Sequence, residues 1–342
     1  MGSGELDYNL PVGYNVRRAD ESDLEDITEV YQSAYPDNTD YPLVSSENVE
    51  KMLEDENVDY YVVENNEGDV KAAAANLYNS LNQGNVQPGR LAVAVDARGE
   101  GLGKALLAER TEDLLDEDVS GIAFSGGATS HPASQGNLYG RGYEVFCADR
   151  QINESYFSNR RETEIMFIHP DTVERDDRTV YLPEEYREIA EINLGKISDD
   201  LAGRTIESHI EPSTDAKFGL TGKIWFLTEI DGVRSEKTLE EVMESLEEEK
   251  SREDHLMLPV DANTPSTVAL YPELEERGFE LEGFAPDWFT RNGENRDAVM
   301  MQYSPQEPET IEVIDPVKQL LEDIGADFRI KGREGKDWIL EY

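Results

Sequence analysis

Cysteine is almost missing: Cys147 is the only one in 342 residues, so neither an intrachain disulfide nor a cysteine-based zinc site can form. A reducing compartment fits that scarcity, and no metal is expected. Basic residues are also few. Lys and Arg total 31 against 75 Asp and Glu, a formal charge of -44. A nucleic-acid partner is thereby disfavoured, because a phosphate backbone attracts the opposite sign. No run of about 18 apolar residues occurs, and Met1 to Pro11 has neither a basic n-region nor an apolar h-region. The expectation is a cytoplasmic chain with no membrane partner.

Hydrophobic residues still make up 38% of the chain, which excludes general disorder and supplies core for two compact units or one large one. The acids are spread along both halves, and Lys (11) is scarcer than Arg (20). Carboxylates in that arrangement keep a hydrated surface soluble where salt screens them, the Debye length being about 3 Å at about 1 M. The pattern resembles that of a halophile protein.

Residues Asn15 to Ala19 read as a strand. Ser22-Asp23-Leu24-Glu25 reads as a capping box opening a helix with Leu24, Ile27, Val30, Tyr31 and Ala34 on one face. A second helix starts at Ser45 or Ser46, with Val49, Met52 and Leu53 as its stripe. Tyr60 to Glu64 and Val70 to Leu77 flank Asn65-Asn66-Glu67-Gly68-Asp69, a hairpin signal. The apolar run Arg90 to Val95 then meets Arg98-Gly99-Glu100-Gly101-Leu102-Gly103-Lys104 and a helical pattern through Leu115. Three glycines within five residues at a strand-to-helix junction let backbone N–H groups turn toward an anion at the positive end of a helix. Ile122 to Phe124 reads as a strand, Gln135 to Arg141 as a short helix, and Tyr143 to Ala148 with Thr163 to Ile168 as a strand pair.

Arg98-Gly99-Glu100-Gly101-Leu102-Gly103 resembles the Arg/Gln-x-x-Gly-x-Gly/Ala loop of the GCN5-related N-acetyltransferase (GNAT) family. Leu138-Tyr139-Gly140-Arg141-Gly142-Tyr143-Glu144 resembles its later Leu-Tyr-x-x-x-Gly-Phe-Glu motif, shortened so that Gly142 stands three residues after Tyr139. The resemblance spans about Asn15 to Ile168. It implies a mixed α+β fold, a central sheet flanked by helices, in a domain over 12–168.

Residues 169–215 read as a polar connector with a helix from Glu184 to Ile197. Over 216–305, Lys223 to Ile230 reads as a strand, Leu239 to Leu246 as a helix and Leu256 to Val260 as a strand. Leu270-Tyr271 through Gly278-Phe279-Glu280 is similar to the later motif with two residues inserted, and Asp297 to Tyr303 closes the segment. This half resembles a degenerate GNAT-like domain without the glycine loop, Asp231 to Glu236 standing in its place. Residues 306–342 form an extension with a helix at Val317 to Ile324 and a terminal strand.

The resemblance implies acetyl-CoA as cosubstrate and a small-molecule or protein amine as acceptor. The pyrophosphate would rest on the N–H groups of Gly99, Glu100, Gly101, Leu102, Gly103 and Lys104, with Arg98 and the Lys104 side chain adding positive charge. Val93, Ala94 and Val95 would bond the pantetheine arm. Tyr139 stands where the family's general acid stands, and a phenol with a pKa near 10 can protonate a departing thiolate. No carboxylate lies between Leu91 and Val95, which leaves His131 or ordered water as the base. Tyr139 could instead be a core tyrosine bonded to a carbonyl. Trp225, Trp288, Trp338, Tyr271 and Phe279 read as packing residues, and Glu247 to Glu249 as surface. The alternative function is a non-catalytic acyl-CoA-binding or regulatory module.

Overall fold

The computed structural model describes residues 10–36, 41–79, 84–116, 121–129, 132–154, 161–210, 238–251, 255–291, 293–304, 310–311, 313–323 and 329–330. Strand β1 (Tyr14–Arg18), helices α1 (Leu24–Ala34) and α2 (Ser46–Leu53) and strands β2 (Val58–Asn65), β3 (Val70–Tyr78) and β4 (Val86–Val93) come first. The four strands form an antiparallel sheet in the order β1-β2-β3-β4. Helix α3 (Leu102–Asp116), β5 (Phe124–Ala128), α4 (Ala133–Tyr139), β6 (Glu144–Glu154) and β7 (Arg161–Ile168) complete the first unit. Ile27, Tyr31 and Val49 bury one face of the sheet under α1 and α2, while Leu102 and Leu106 of α3 bury the other.

The cap of α1 differs from the sequence reading. Asp20, not Ser22, caps a single 3-10 turn: its carboxylate accepts from Ser22 N–H at 2.8 Å, and Asp23 accepts from Asp20 N–H at 2.9 Å. Arg17 grips Asp23 with two bonds of 2.7 Å, which fixes that carboxylate in the reciprocal position. Its neighbour β4 starts four residues earlier than expected, because Pro88 and Gly89 mask a strand, and it ends two earlier. Similarly, β5 starts at Phe124, the last residue of the strand expected at Ile122 to Phe124, and runs on to Ala128. Its glycines are spatially required: a Cβ at Gly126 would lie 2.0 Å from Glu164 Oε1, and one at Gly127 would lie 2.9 Å from Gln135 Cγ.

Beyond β7 stand β8 (Arg178–Tyr181), α5 (Arg187–Gly195) and β9 (Arg204–Glu207), then α6 (Leu239–Lys250), β10 (Leu256–Asp261), α7 (Leu270–Glu276), β11 (Phe279–Arg291) and β12 (Glu294–Tyr303). The tail adds β13 (Thr310–Ile311), α8 (Asp315–Asp323) and β14 (Arg329–Ile330). The connector is a folded layer: β8 and β9 pair in parallel, and Ile189, Ala190 and Leu194 of α5 join the main core. The strand expected at Lys223 to Ile230 lies outside the described residues, as do Asp231 to Glu236, Trp225 and Trp338. Trp288 packs edge-on against Phe124 at 5.5 Å, and Tyr271 and Phe279 are buried.

One six-stranded sheet joins the halves in the order β10-β12-β11-β6-β7-β5. Read from its middle outward, each side repeats the same series. The turn after α4 (Arg141 N–H to Leu138 O, 2.9 Å; Gly142 N–H to Tyr139 O, 3.1 Å) recurs after α7 (Arg277 N–H to Leu274 O, 3.0 Å; Gly278 N–H to Glu275 O, 2.9 Å). Gly142 and Gly278 have φ of +84° and +81°, the left-handed conformation that glycine adopts without penalty. The sequence comparison with Leu270-Tyr271 is therefore corrected. By these turn hydrogen bonds Leu274-x-x-Arg277-Gly278-Phe279-Glu280 aligns with Leu138-x-x-Arg141-Gly142-Tyr143-Glu144 without insertion, and Tyr139 corresponds to Glu275. At the same chain offset Cys147 corresponds to Gly283, and these two residues face each other where β6 meets β11. A pseudo-twofold axis passes between them.

Buried polar groups close this seam. Asn193 donates to Phe146 O at 2.9 Å and Phe284 O at 2.7 Å, one carbonyl from each side. Asp149 of β6 bonds His255 at 3.0 Å, and Gln302 of β12 meets the other ring nitrogen at 2.8 Å. Arg204 lies between Asp287 at 3.0 Å and Asp297 at 3.2 Å, tying β9 to the β11–β12 hairpin. The tail folds back on the first unit, with Ile314 N–H donating to Gln135 Oε1 at 3.3 Å.

Candidate active site

The site begins with a defect in β4. Ala73 pairs with Ala92 but Ala75 pairs with Gly89, so one residue is extra and the strand bulges. Arg90 takes the strain with φ +56°. Both faces clamp the bulge. From α3, Arg110 donates to Ala75 O at 2.8 Å and Gly89 O at 2.9 Å; from α1, the Tyr31 hydroxyl donates to Arg90 O. Arg110 is 1% exposed, bonds carbonyls alone among its described contacts, and is pushed down to about 10 by burial.

Before the bulge β4 touches β5, through Val86 N–H to Ile122 O at 3.0 Å and Ser125 Oγ–H to Pro88 O at 2.6 Å. After it the strands part into separate sheets. Ala94 N–H donates to Lys71 O at 2.9 Å, so antiparallel alternation turns Val93 N–H and C=O away from β3, toward the gap. Of the three residues expected to face a pantetheine arm, only Val93 is in the strand and so oriented. The other two N–H groups are occupied, Ala94 by Lys71 O and Val95, in a 3-10 turn, by Ser33 Oγ at 3.0 Å.

Next comes the glycine loop. Gly99 and Gly101 have φ of +84° and +82°, and a Cβ at either would meet nothing within 4 Å. These glycines serve backbone conformation, on a side open to solvent. Lys104 N–H and Ala105 N–H both donate to Gly101 O at 3.1 Å and close the first turn of α3. Among the described residues, the N–H groups of Gly99, Glu100, Gly101, Leu102 and Gly103 have no protein acceptor. The first turn of α3 carries no acid. Glu100 accepts from Tyr14 Oη–H at 2.7 Å, a bond that raises the Tyr14 phenol. Gly103 packs against Leu91 and Val93, its Cβ position 3.4 Å from Leu91 Cδ2. The Arg98 side chain is held elsewhere than expected: it donates to Ala34 O at 3.1 Å, at the C-terminal end of α1, where a cation is favoured.

Tyr139 ends α4. It is 40% exposed, and its hydroxyl has no partner among the described residues, so it is not a core tyrosine tied to a carbonyl. Burial and Glu144 raise its pKa, which keeps the phenol protonated at neutral pH. His131 lies outside the described residues. What sequence reasoning missed is the bulge with Arg90, Arg110 and Tyr31; Pro88-Gly89 inside an apolar run was the available signal. A separate cleft of about 1250 Å³ lies between Asp116 of α3, Arg178 and Asn295. It sits at the other end of α3, about 20 Å from the glycine loop.

No protein-family model matches the chain, and no curated protein matches it. Among solved structures it is similar to the ribosomal-protein-S18-alanine N-acetyltransferase from Escherichia coli, with 18% identity over 45% of this chain and 92% of that one, TM-score 0.39. It is similar to the ribosomal-protein-alanine N-acetyltransferase from Brucella melitensis, with 24% identity over 45% and 98%, TM-score 0.39. A chimeric spermidine N-acetyltransferase from Vibrio cholerae gives 14% identity over 46% and 94%, TM-score 0.39. Each likeness covers less than half of this chain.

Proposed function

We propose that the chain is an N-acetyltransferase that takes its acetyl group from acetyl-CoA and passes it to a primary amine. On this reading its first unit is active and its second is a degenerate copy. The observation that carries the reading is the run of five N–H groups without acceptors, Gly99 to Gly103, beside a strand edge left open by a bulge. A diphosphate fits that run, since N–H groups and the helix dipole both face an anion there and no acid stands in the helix's first turn. The Lys104 ammonium adds charge, and Val93 offers one donor and one acceptor to an amide-bearing arm. Acetyl-CoA, when bound, supplies the activated thioester carbonyl. The amine nitrogen bonds the carbonyl carbon as the C–S bond breaks, Tyr139 gives its proton to the departing sulfur, and the proton the amine loses passes through water and restores the phenol.

Among the described residues, the start of α6 in the second unit offers no matching anion site. Thr238 Oγ1 accepts from Glu241 N–H at 3.2 Å, Glu241 bonds Thr238 N–H at 2.7 Å, and Glu240 and Glu241 bring negative charge to the start of α6. Calorimetric titration with CoA in molar KCl, together with thiol release from acetyl-CoA over an amine panel, tests the reading. Binding abolished by Gly101→Val, with thiol release from the parent chain, is the expected result. Absence of CoA binding by the parent chain would end it.

A further inference from the structure

Cations in this chain are scarce and mostly committed to carboxylates: Arg17 to Asp23 and Glu64, Lys71 to Asp96, Arg178 and Arg204 to Asp287 and Asp297. Arg90 is different. Its side chain is exposed, and among the described residues its guanidinium has neither an ion pair nor a hydrogen bond. It also occupies the bulge of β4 at φ +56°, a conformation costing an L residue of this size free energy that glycine would avoid. Tyr31 on its own carbonyl and Arg110 on the preceding one hold it there.

Ala92 and Ala94 pack with α1, as does Tyr60, and the bulge interrupts the alternation that turns Leu91 and Val93 toward α3, so Arg90 belongs with the α1 face by its neighbours. Tyr35 and Tyr60 are its electrostatic neighbours there. A diphosphate on Gly99 to Gly103 would lie beyond the far end of Leu91–Val93, about 10 Å of strand from Arg90. The phosphates therefore leave this guanidinium unanswered, and it stands at the acyl end of the exposed edge. On a surface of net charge -44, an anionic acceptor needs a local cation to overcome repulsion; a polyamine needs none and would be repelled by this one.

Resting on the acetyltransferase reading, we infer that Arg90 receives the carboxylate of the acceptor, and that the acceptor class is small amines bearing a carboxylate, such as free amino acids. The test uses the full chain in molar KCl, with thiol release from acetyl-CoA measured for the common L-amino acids, their amides and spermidine. Amino acids should be acetylated with kcat/KM at least about tenfold above their amides, the share of one charge-assisted contact. Arg90→Gly, which accepts the backbone conformation, should lower amino-acid kcat/KM about 10- to 100-fold and leave CoA affinity by calorimetry unchanged. Arg90→Lys should restore part of the loss. Equal turnover of amides and acids, preference for spermidine, or loss of CoA affinity in Arg90→Gly each overturns the inference. CoA binding without turnover of any amino acid overturns it too. Failure of the parent chain to bind CoA is the separate failure of the acetyltransferase reading.

Discussion

Replacing Arg110 by Met should damage ligand binding far more than stability. Burial pushes the guanidinium from 12.5 down to about 10, a cost to the charged form of about 3 kcal/mol at about 1.36 kcal/mol per pK unit. Against that stand two bonds from Nη1, to Ala75 O at 2.8 Å and Gly89 O at 2.9 Å, each contributing about 1.5–3 kcal/mol as charge-assisted bonds. The opposing sums nearly cancel. Arg110→Met, which keeps the apolar stem, should cost about 1–2 kcal/mol in urea unfolding, within the range of a buried polar loss. The two freed carbonyls flank the bulge of β4, however, and among the described residues no other hydrogen bond from α3 reaches it. The strand should relax toward regular pairing, narrow its gap with β5, and lose at least about tenfold in CoA affinity, about 1.4 kcal/mol. Tyr31→Phe frees Arg90 O from the other face and should weaken binding in the same direction. Unchanged CoA affinity in Arg110→Met, or a stability loss above about 5 kcal/mol, would show that the residue merely supports the core.

Tyr139→Phe should lower kcat for thiol release about 100-fold while CoA affinity holds, since it removes a proton donor and no binding contact; undiminished turnover refutes the acid role. CoA affinity should rise from dilute buffer to molar KCl, because screening removes the long-range repulsion from net charge -44 before it touches contacts of about 3 Å; calorimetry showing a steady fall would refute it. Gly283→Ala would place a Cβ 2.2 Å from Phe146 O, so it should destabilise by more than about 3 kcal/mol, and a melting temperature within a degree or two of the parent's would disprove the tight seam. Burial and Asp297 raise the Asp287 carboxyl from 3.8 to about 6, so the folded state holds that proton longer and this group's contribution to stability is lost as pH climbs from about 4 to 6. Asp287→Asn should gain about 2–3 kcal/mol relative to the parent over that interval, measured by urea unfolding at both ends; a constant difference would refute the shift.

The first unit was legible wherever local chemistry decides local structure. Apolar runs split by a polar turn marked β2 and β3, and Gly99 and Gly101 marked the loop because φ near +83° leaves little choice of residue. Two kinds of feature were not legible. Pro88 and Gly89 read as strand breakers, although Arg110 and Tyr31, distant in sequence, stabilise the bulge that accommodates them. The joined sheet depends on β6 meeting β11 at Cys147 and Gly283, a long-range pairing that periodicity cannot register. Even the internal repeat was misaligned, because Leu270-Tyr271 copies the letters of Leu138-Tyr139 while the backbone hydrogen bonds single out Leu274.

On the proposed reading, that pairing also lets two similar units divide the roles of one fold. In a lone first unit β6 would be a sheet edge, with unpaired N–H and C=O groups open to other chains. Here β11 covers it at Cys147 and Gly283, and Asn193 donates to one carbonyl from each side. On the same reading, the second unit meets that demand with its helices and strands. Thr238 and Glu241 fill the positive end of α6, so its first N–H groups find acceptors in the helix's own cap. At α3 the same groups have no protein acceptor, and the glycines keep them so at a cost in backbone entropy. On the proposed reading, the diphosphate that the turn receives offsets that cost.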